Sequence, residues 1–291
     1  MTKSSLLESA LEQDRTIIIT GLVMVIGLAW LYVLMGGGMG MTSSKMITPS
    51  PFSPIEPADH AGSMSAQQGI GEVMQVAHAA MMQSAMWTPS YAVIMVVMWW
   101  VMMIAMMLPS ASPMILLFAR IQRKERNKGA LFVPTSVFAA GYLVVWGLFS
   151  VLATGVEWGL ERVGLLSTLM ASTSGLFAGI LLLVAGAYQL TPLKQMCLAN
   201  CRSPIQFLTQ YWRNGNSGAF RMGIDHGAFC TGCCWSLMTL LFVGGVMNLY
   251  WIGSLAVFVL LEKIIPAGHR LGSLVGIGLI VWGGWLVVGA L

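Results

Sequence analysis

Charge is what this sequence has least of. Only 9% of its 291 residues are Asp, Glu, Lys or Arg, where a water-soluble domain carries about a quarter. A soluble surface has to be hydrated by charged groups, so the shortage excludes a water-soluble globular protein. Phosphate-binding loops, nucleophile elbows and zinc-protease motifs are also absent, which leaves hydrolysis unsupported and argues against an ATP-driven pump. The four histidines are scattered, and they give little support to a haem protein.

Apolar residues fill the space that charge leaves, at 57% of the chain and a mean hydropathy of +0.78. Uncharged runs lie at 16–35, 87–119, 130–156, 163–193, 227–261 and 271–291. About 20 helical residues cross a hydrocarbon core of roughly 30 Å, so each run is long enough to span. The run 227–261 is too long for one crossing, and Gly244, Gly245 and Asn248 mark the break. The expected fold is therefore all-α: a polytopic membrane bundle of about seven transmembrane helices. The sixth, near 250–265, is the weakest because it is short and ends in Glu262 and Lys263.

With the N-terminus inside and the C-terminus outside, thirteen of the fifteen Lys and Arg fall in inner segments; only Lys45 and Arg162 lie outside. That bias is the positive-inside rule. The net charge of +4 then reflects topology and gives no reason to invoke nucleic acid. The first apolar run reads as an uncleaved anchor, since its leading residues are net acidic and its apolar stretch exceeds a signal peptide's.

The chain divides into residues 1–35 (tail and first helix), an outer segment 36–88 and a six-helix membrane core 89–291. The outer segment is proline-rich at first, then proline-free from Ser65 to Met86, where helical spacing of apolar residues predicts an amphipathic helix on the membrane face. No solenoid repeat is present. Pro109 and Pro113 predict a kink or break in the second helix.

All five cysteines lie between 197 and 234. At 100° per residue, His226, Cys230, Cys233 and Cys234 share one face of the fifth helix. Cys197 and Cys201 are four apart, so a helical turn brings them together as well. Folding the inner segment back on the fifth helix then completes a site of thiols and imidazole, the ligands that soft and borderline metals select. Asp225, Glu262, Lys263 and His269 are the nearby groups expected to support it or to form ion pairs. Singly, buried cysteines behave as small hydrophobes, and the Cys230–Cys233 spacing also fits thiol–disulfide exchange.

Methionine is abundant, with 23 in the chain. Met98, Met102 and Met106 fall on one stripe of the second helix with Met95, and eight more methionines lie in the outer segment beside His60 and His78. Thioethers favour Cu(I) over Zn(II) and harder ions, although methionine is also a common filler of irregular cores. Copper(I) is the first choice of metal and zinc the second, with Met98, Met102 and Met106 as relay positions.

The runs Met102–Pro109, Tyr188–Lys194, Cys197–Pro204 and Gly232–Met238, with Met247-Asn248 and Glu262-Lys263, resemble a bacterial family of metal-binding integral membrane proteins, sometimes described as copper-chaperone-like. The resemblance covers roughly residues 90–270 and implies metal binding within a membrane. The resulting expectation is a non-enzymatic protein of the bacterial inner membrane that handles Cu(I). It moves the ion or delivers it to a partner cuproprotein. Rival readings are a thiol–disulfide electron carrier, which would be the one enzymatic alternative, and an accessory subunit of a larger membrane complex.

Overall fold

A computed structural model describes residues 3–37, 87–126, 133–166 and 170–290. The outer segment, with its expected amphipathic helix and its Met/His content, lies outside the described residues except at its two ends. Among the described residues the chain is helical, with one isolated bridge between Leu166 and Ser172 as the sole β pairing.

In chain order the helices are α1 (Lys3–Leu34), α2 (Pro89–Arg126), α3 (Thr135–Arg162), α4 (Gly175–Gln189), α5 (Pro192–Arg202), α6 (Pro204–Tyr211), α7 (Gly215–Met238), α8 (Leu241–Gly244), α9 (Leu249–Ile264) and α10 (Gly268–Gly289). Among the described residues, five spans are long and apolar enough to cross a membrane: Thr16–Leu34, Pro89–Lys124, Thr135–Arg162, Gly215–Gly244 and Gly268–Gly289. The pair α4 and α5, bent by 65°, makes a sixth if taken together. The expected sixth helix, α9, has 16 residues. At about 1.5 Å per residue it is roughly 24 Å long, short of a full hydrocarbon core.

Local sequence explains the breaks. Thr191 caps α5 by accepting from the Lys194 amide, with Pro192 at the first helical position where no donor is needed. Pro204 takes the same first position in α6, where Ser203 makes no side-chain cap. Between α8 and α9 the chain turns at Gly245, whose φ of 90° suits glycine, and the Asn248 side chain accepts from the Tyr250 and Trp251 amides. The break expected there is present. Of the kink or break expected at Pro109 and Pro113, the break is absent: α2 continues as a single 38-residue helix through both prolines.

Packing pairs α3 with α7 and α4 with α10, and sets α2 against α1, α3 and α9. Glycine makes the first two pairings close. A methyl group on Gly141 would collide with the Phe220 carbonyl, and one on Gly223 with the Phe138 carbonyl. Gly179 and Gly186 face Gly283 and Gly276 in the same manner across α4 and α10. Small residues that let helix backbones touch are the usual glue between helices in an apolar solvent. The interior is filled by Trp99, Trp146, Phe118, Phe138 and methionines of α2, all fully buried. The outward faces are apolar instead of charged: Leu148, Val151, Leu152 and Val156 on α3, and Leu274, Val281 and Trp285 on α10, are exposed.

Candidate metal centre

The site forms where α5, α7 and α9 meet α2 and α3. α7 begins at Gly215, twelve residues ahead of the apolar run at Gly227, so Cys230 lies well inside a buried helix. Cys230, Cys233 and Cys234 are at most 1% exposed. The Cys233 and Cys234 thiols both donate to the Cys230 carbonyl, at 3.1 and 3.0 Å. α5 folds back on α7 as expected. Cys201 reaches Cys230 and Cys233, and Cys197 packs on Gly232, where an added methyl would sit 2.8 Å from its sulfur. The Tyr188 hydroxyl locks this docking by donating to the Gly232 carbonyl at 2.6 Å. All five cysteines are free thiols.

Three groups that the sequence did not single out complete the cluster. Tyr142 of α3 places its hydroxyl 3.2 Å from the Cys230 sulfur. Met107 of α2 places its thioether 3.8 Å from the Cys234 sulfur. Ser110 of α2 accepts from the Lys263 ammonium at 2.9 Å. Lys263 itself, already a candidate, donates to the Cys230 sulfur at 3.1 Å. The glycines of α3 and α7 make the tyrosine contact possible, since Gly227 lets the Tyr142 turn approach α7.

The other candidates divide. His226 is 2% exposed and sits one turn before Cys230, with ring centroids 5.6 Å from Tyr142, 5.4 Å from Phe207 and 6.1 Å from Phe138. Neither of its nitrogens has a hydrogen-bond partner. A polar side chain buried without partners is costly, and an imidazole nitrogen left open in an aromatic box is a group that a metal would satisfy. Asp225 leaves the site to pair with Arg213 at 3.5 Å. His269 is exposed at the start of α10 and takes no part. Glu262 points away from Lys263 and forms a buried ion pair with Lys194, which also donates to Gln189. Adjacent residues on a helix diverge by about 100°, so Glu262 and Lys263 serve different partners, Lys194 and Cys230.

Met98, Met102 and Met106 are each 1% exposed, so the whole stripe faces the bundle interior. Its lower neighbour Met107 touches the cysteines. Among the described residues, no three His, Cys, Asp or Glu side chains converge as a ready-made metal cage. Two of the thiols are turned to a helix carbonyl, and a metal would have to rotate them. The donor chemistry still fits a soft monovalent ion, since sulfur ligands are what Cu(I) selects.

The sequence model of a family described as PpoB2, copper chaperone, matches residues 96–286. The chain belongs to that family. The matched stretch holds every cysteine, Met98 to Met107, His226 and Lys263, and omits α1 and the outer segment. Copper-chaperone membership accords with the resemblance carried by the two cysteine motifs. No curated protein and no solved structure matches the chain.

Proposed function

We propose that this copper-chaperone-family protein is a polytopic protein of a bacterial inner membrane that binds Cu(I) at Cys197, Cys201, Cys230, Cys233 and Cys234 and passes it on. His226 is a further ligand or supports one. The chain crosses seven times with its N-terminus inside, α9 serving as a short span and α4 with α5 as a bent one. Met98, Met102 and Met106 hold the ion weakly and relay it along α2. The recipient is a cuproprotein or a larger membrane complex, and the lipid bilayer is the other partner.

One observation carries this reading: five thiols from two helices gather at one place, three of them fully buried, beside a buried thioether and an unpartnered buried imidazole. The nearby Lys263 ammonium balances charge. Two thiolates on Cu(I) leave one net negative charge, and one ammonium cancels it, which an apolar interior requires.

The test is the metal content of detergent-purified protein, prepared under reducing anaerobic conditions, beside a Cys230→Ser/Cys233→Ser variant. About one copper per chain, lost in the variant, supports the reading. Zinc in its place keeps the thiol site but removes the role of the methionines. No metal, together with reversible thiol–disulfide titration, replaces copper handling with electron transfer.

A further inference from the structure

A second polar group lies buried far from the thiols. Glu157 of α3 is fully buried. Its Oε2 accepts from the Trp99 indole of α2 at 2.6 Å, and its Oε1 has no partner. No ion pair joins it to a cation among the described residues; Glu262 is paired with Lys194 and Asp225 with Arg213. From α2, Tyr91 faces it, and from α3 itself, Glu161, whose carboxylate is held by the Trp87 indole at 2.7 Å. An ionised carboxylate with one neutral donor and no counter-charge is too costly to keep in such an interior.

The surroundings are also incompletely bonded. Trp146, Ser150, Thr154 and Glu157 fall on one face of α3, at steps of four, four and three. All four are buried, and the Trp146 indole nitrogen, the Thr154 hydroxyl and Glu157 Oε1 have no partners. The Ser236 hydroxyl of α7, the helix packed on α3, has none either. That face begins at Tyr142, whose hydroxyl touches Cys230. Fifteen residues of helix separate Tyr142 from Glu157, about 22 Å. Glu157 therefore stands near the far end of the bundle from the thiols. It is level with Trp99, which sits one helical turn from Met95 on the methionine stripe.

We infer that Glu157 is a proton-binding site, carrying one exchangeable proton that neutralises it inside the bundle. A proton is the cation the geometry accommodates: among the described residues no group of three His, Cys, Asp or Glu forms around Glu157 to make a metal site, and the neighbouring Glu161 carboxylate is taken by the Trp87 indole. The inference also extends the copper reading, on which this next step rests. A Cu(I) ion on the methionine stripe and a proton on Glu157 compete for the same negative charge. Arrival of the ion at that level releases the proton to solvent, one positive charge entering as one leaves. The cargo's passage is thereby tied to proton release and rebinding at Glu157.

Infrared spectroscopy of the full-length, metal-free protein in lipid nanodiscs tests the proton site. A carboxylic-acid C=O band is expected at neutral pH that disappears in Glu157→Gln, persists in Glu161→Gln and shifts in Trp99→Phe, where the indole donor is gone. The Trp99→Phe shift assigns the band even if Glu157→Gln folds poorly. Identical spectra for wild type, Glu157→Gln and Trp99→Phe overturn the proposal. Loading with Cu(I) then tests the exchange. With Cu(I) supplied beyond what the thiols hold, so that the methionine stripe is occupied too, Glu157→Gln should bind as many copper ions as wild type but release one fewer proton per chain. One fewer copper bound would make Glu157 a metal ligand and overturn the proton assignment. If neither protein binds copper while the band difference stands, the copper reading fails and the proton site survives it.

Discussion

The Lys263 ammonium and the Cys230 sulfur, 33 residues apart in sequence, lie 3.1 Å from each other in the buried interior. The same ammonium reaches Ser110, so one side chain joins α9, α7 and α2. Its charge is the only compensation the thiol cluster has from a bonded cation among the described residues. Replacing Lys263 by Met removes it and leaves a bis-thiolate copper complex as a bare anion in an apolar interior. Affinity for Cu(I) is expected to fall by about 10–100-fold, the range found when a group supporting metal ligands is lost. Lys263→Arg should keep most of it. Competition with a Cu(I) chelator reads the difference, and equal affinity in Lys263→Met would show that the lysine is only a packing contact.

The neighbouring residue does different work. Glu262 and Lys194 are 1% and 0% exposed and paired with each other. Breaking a buried pair leaves one charge stranded, at a cost of about 3–5 kcal/mol, while replacing both partners by apolar groups is often neutral. Lys194→Met and Glu262→Leu should each lower the thermal midpoint sharply in detergent. The double variant should recover most of the loss, and additive losses would contradict the pairing.

How far the site was readable from sequence follows from these two residues. The face of α7 that carries His226 and the three cysteines was set by helical spacing, which depends on nothing outside the helix. The break at Gly245 and Asn248 was legible for the same local reason. Glu262 and Lys263 stood out as ionisable groups in an apolar chain, yet their partners lie 68 and 33 residues away and no local rule names them. Tyr142 had no signal at all, because only the glycine contact between α3 and α7 brings it to Cys230. Glu157 had a weak one, as a single acid ending an uncharged run. The bundle's length limits were less readable: α9 is shorter than a span, and the α4–α5 bend is set by Thr191 and Pro192 instead of by hydropathy.

Glycine contacts give a prediction of their own. Gly141 and Gly223 face each other across α3 and α7, each leaving no room for a methyl group beside the opposing backbone. Gly223→Ala forces the helices apart and should destabilise the fold by about 1–3 kcal/mol, the usual range for overpacking. It should also weaken Cu(I) binding, because Tyr142 moves away from Cys230. Gly155→Ala, where nothing lies within 4 Å, is the control: it should leave Cu(I) binding unchanged and stability no lower, since alanine is the better helix former. Unfolding midpoints and chelator competition measured on the same samples separate the two effects.

His226 offers the sharpest test of what the buried cluster binds. If its role is to fill the box of Phe138, Tyr142 and Phe207, a phenylalanine in its place supplies a ring of similar size and removes two unpartnered nitrogens. His226→Phe should then be as stable as wild type or more so, since losing unsatisfied buried polar atoms is favourable. If the imidazole takes a metal, the same variant keeps its stability in the metal-free state but loses the extra stabilisation that bound ligand confers on the wild type. The expected outcome is the second: Cu(I) raises the thermal midpoint of the wild type clearly more than that of His226→Phe. X-ray absorption at the copper edge should show a nitrogen neighbour in the former and sulfur alone in the latter. Equal midpoint shifts with identical absorption spectra would confine His226 to packing and leave the thiols and Met107 as the whole ligand set.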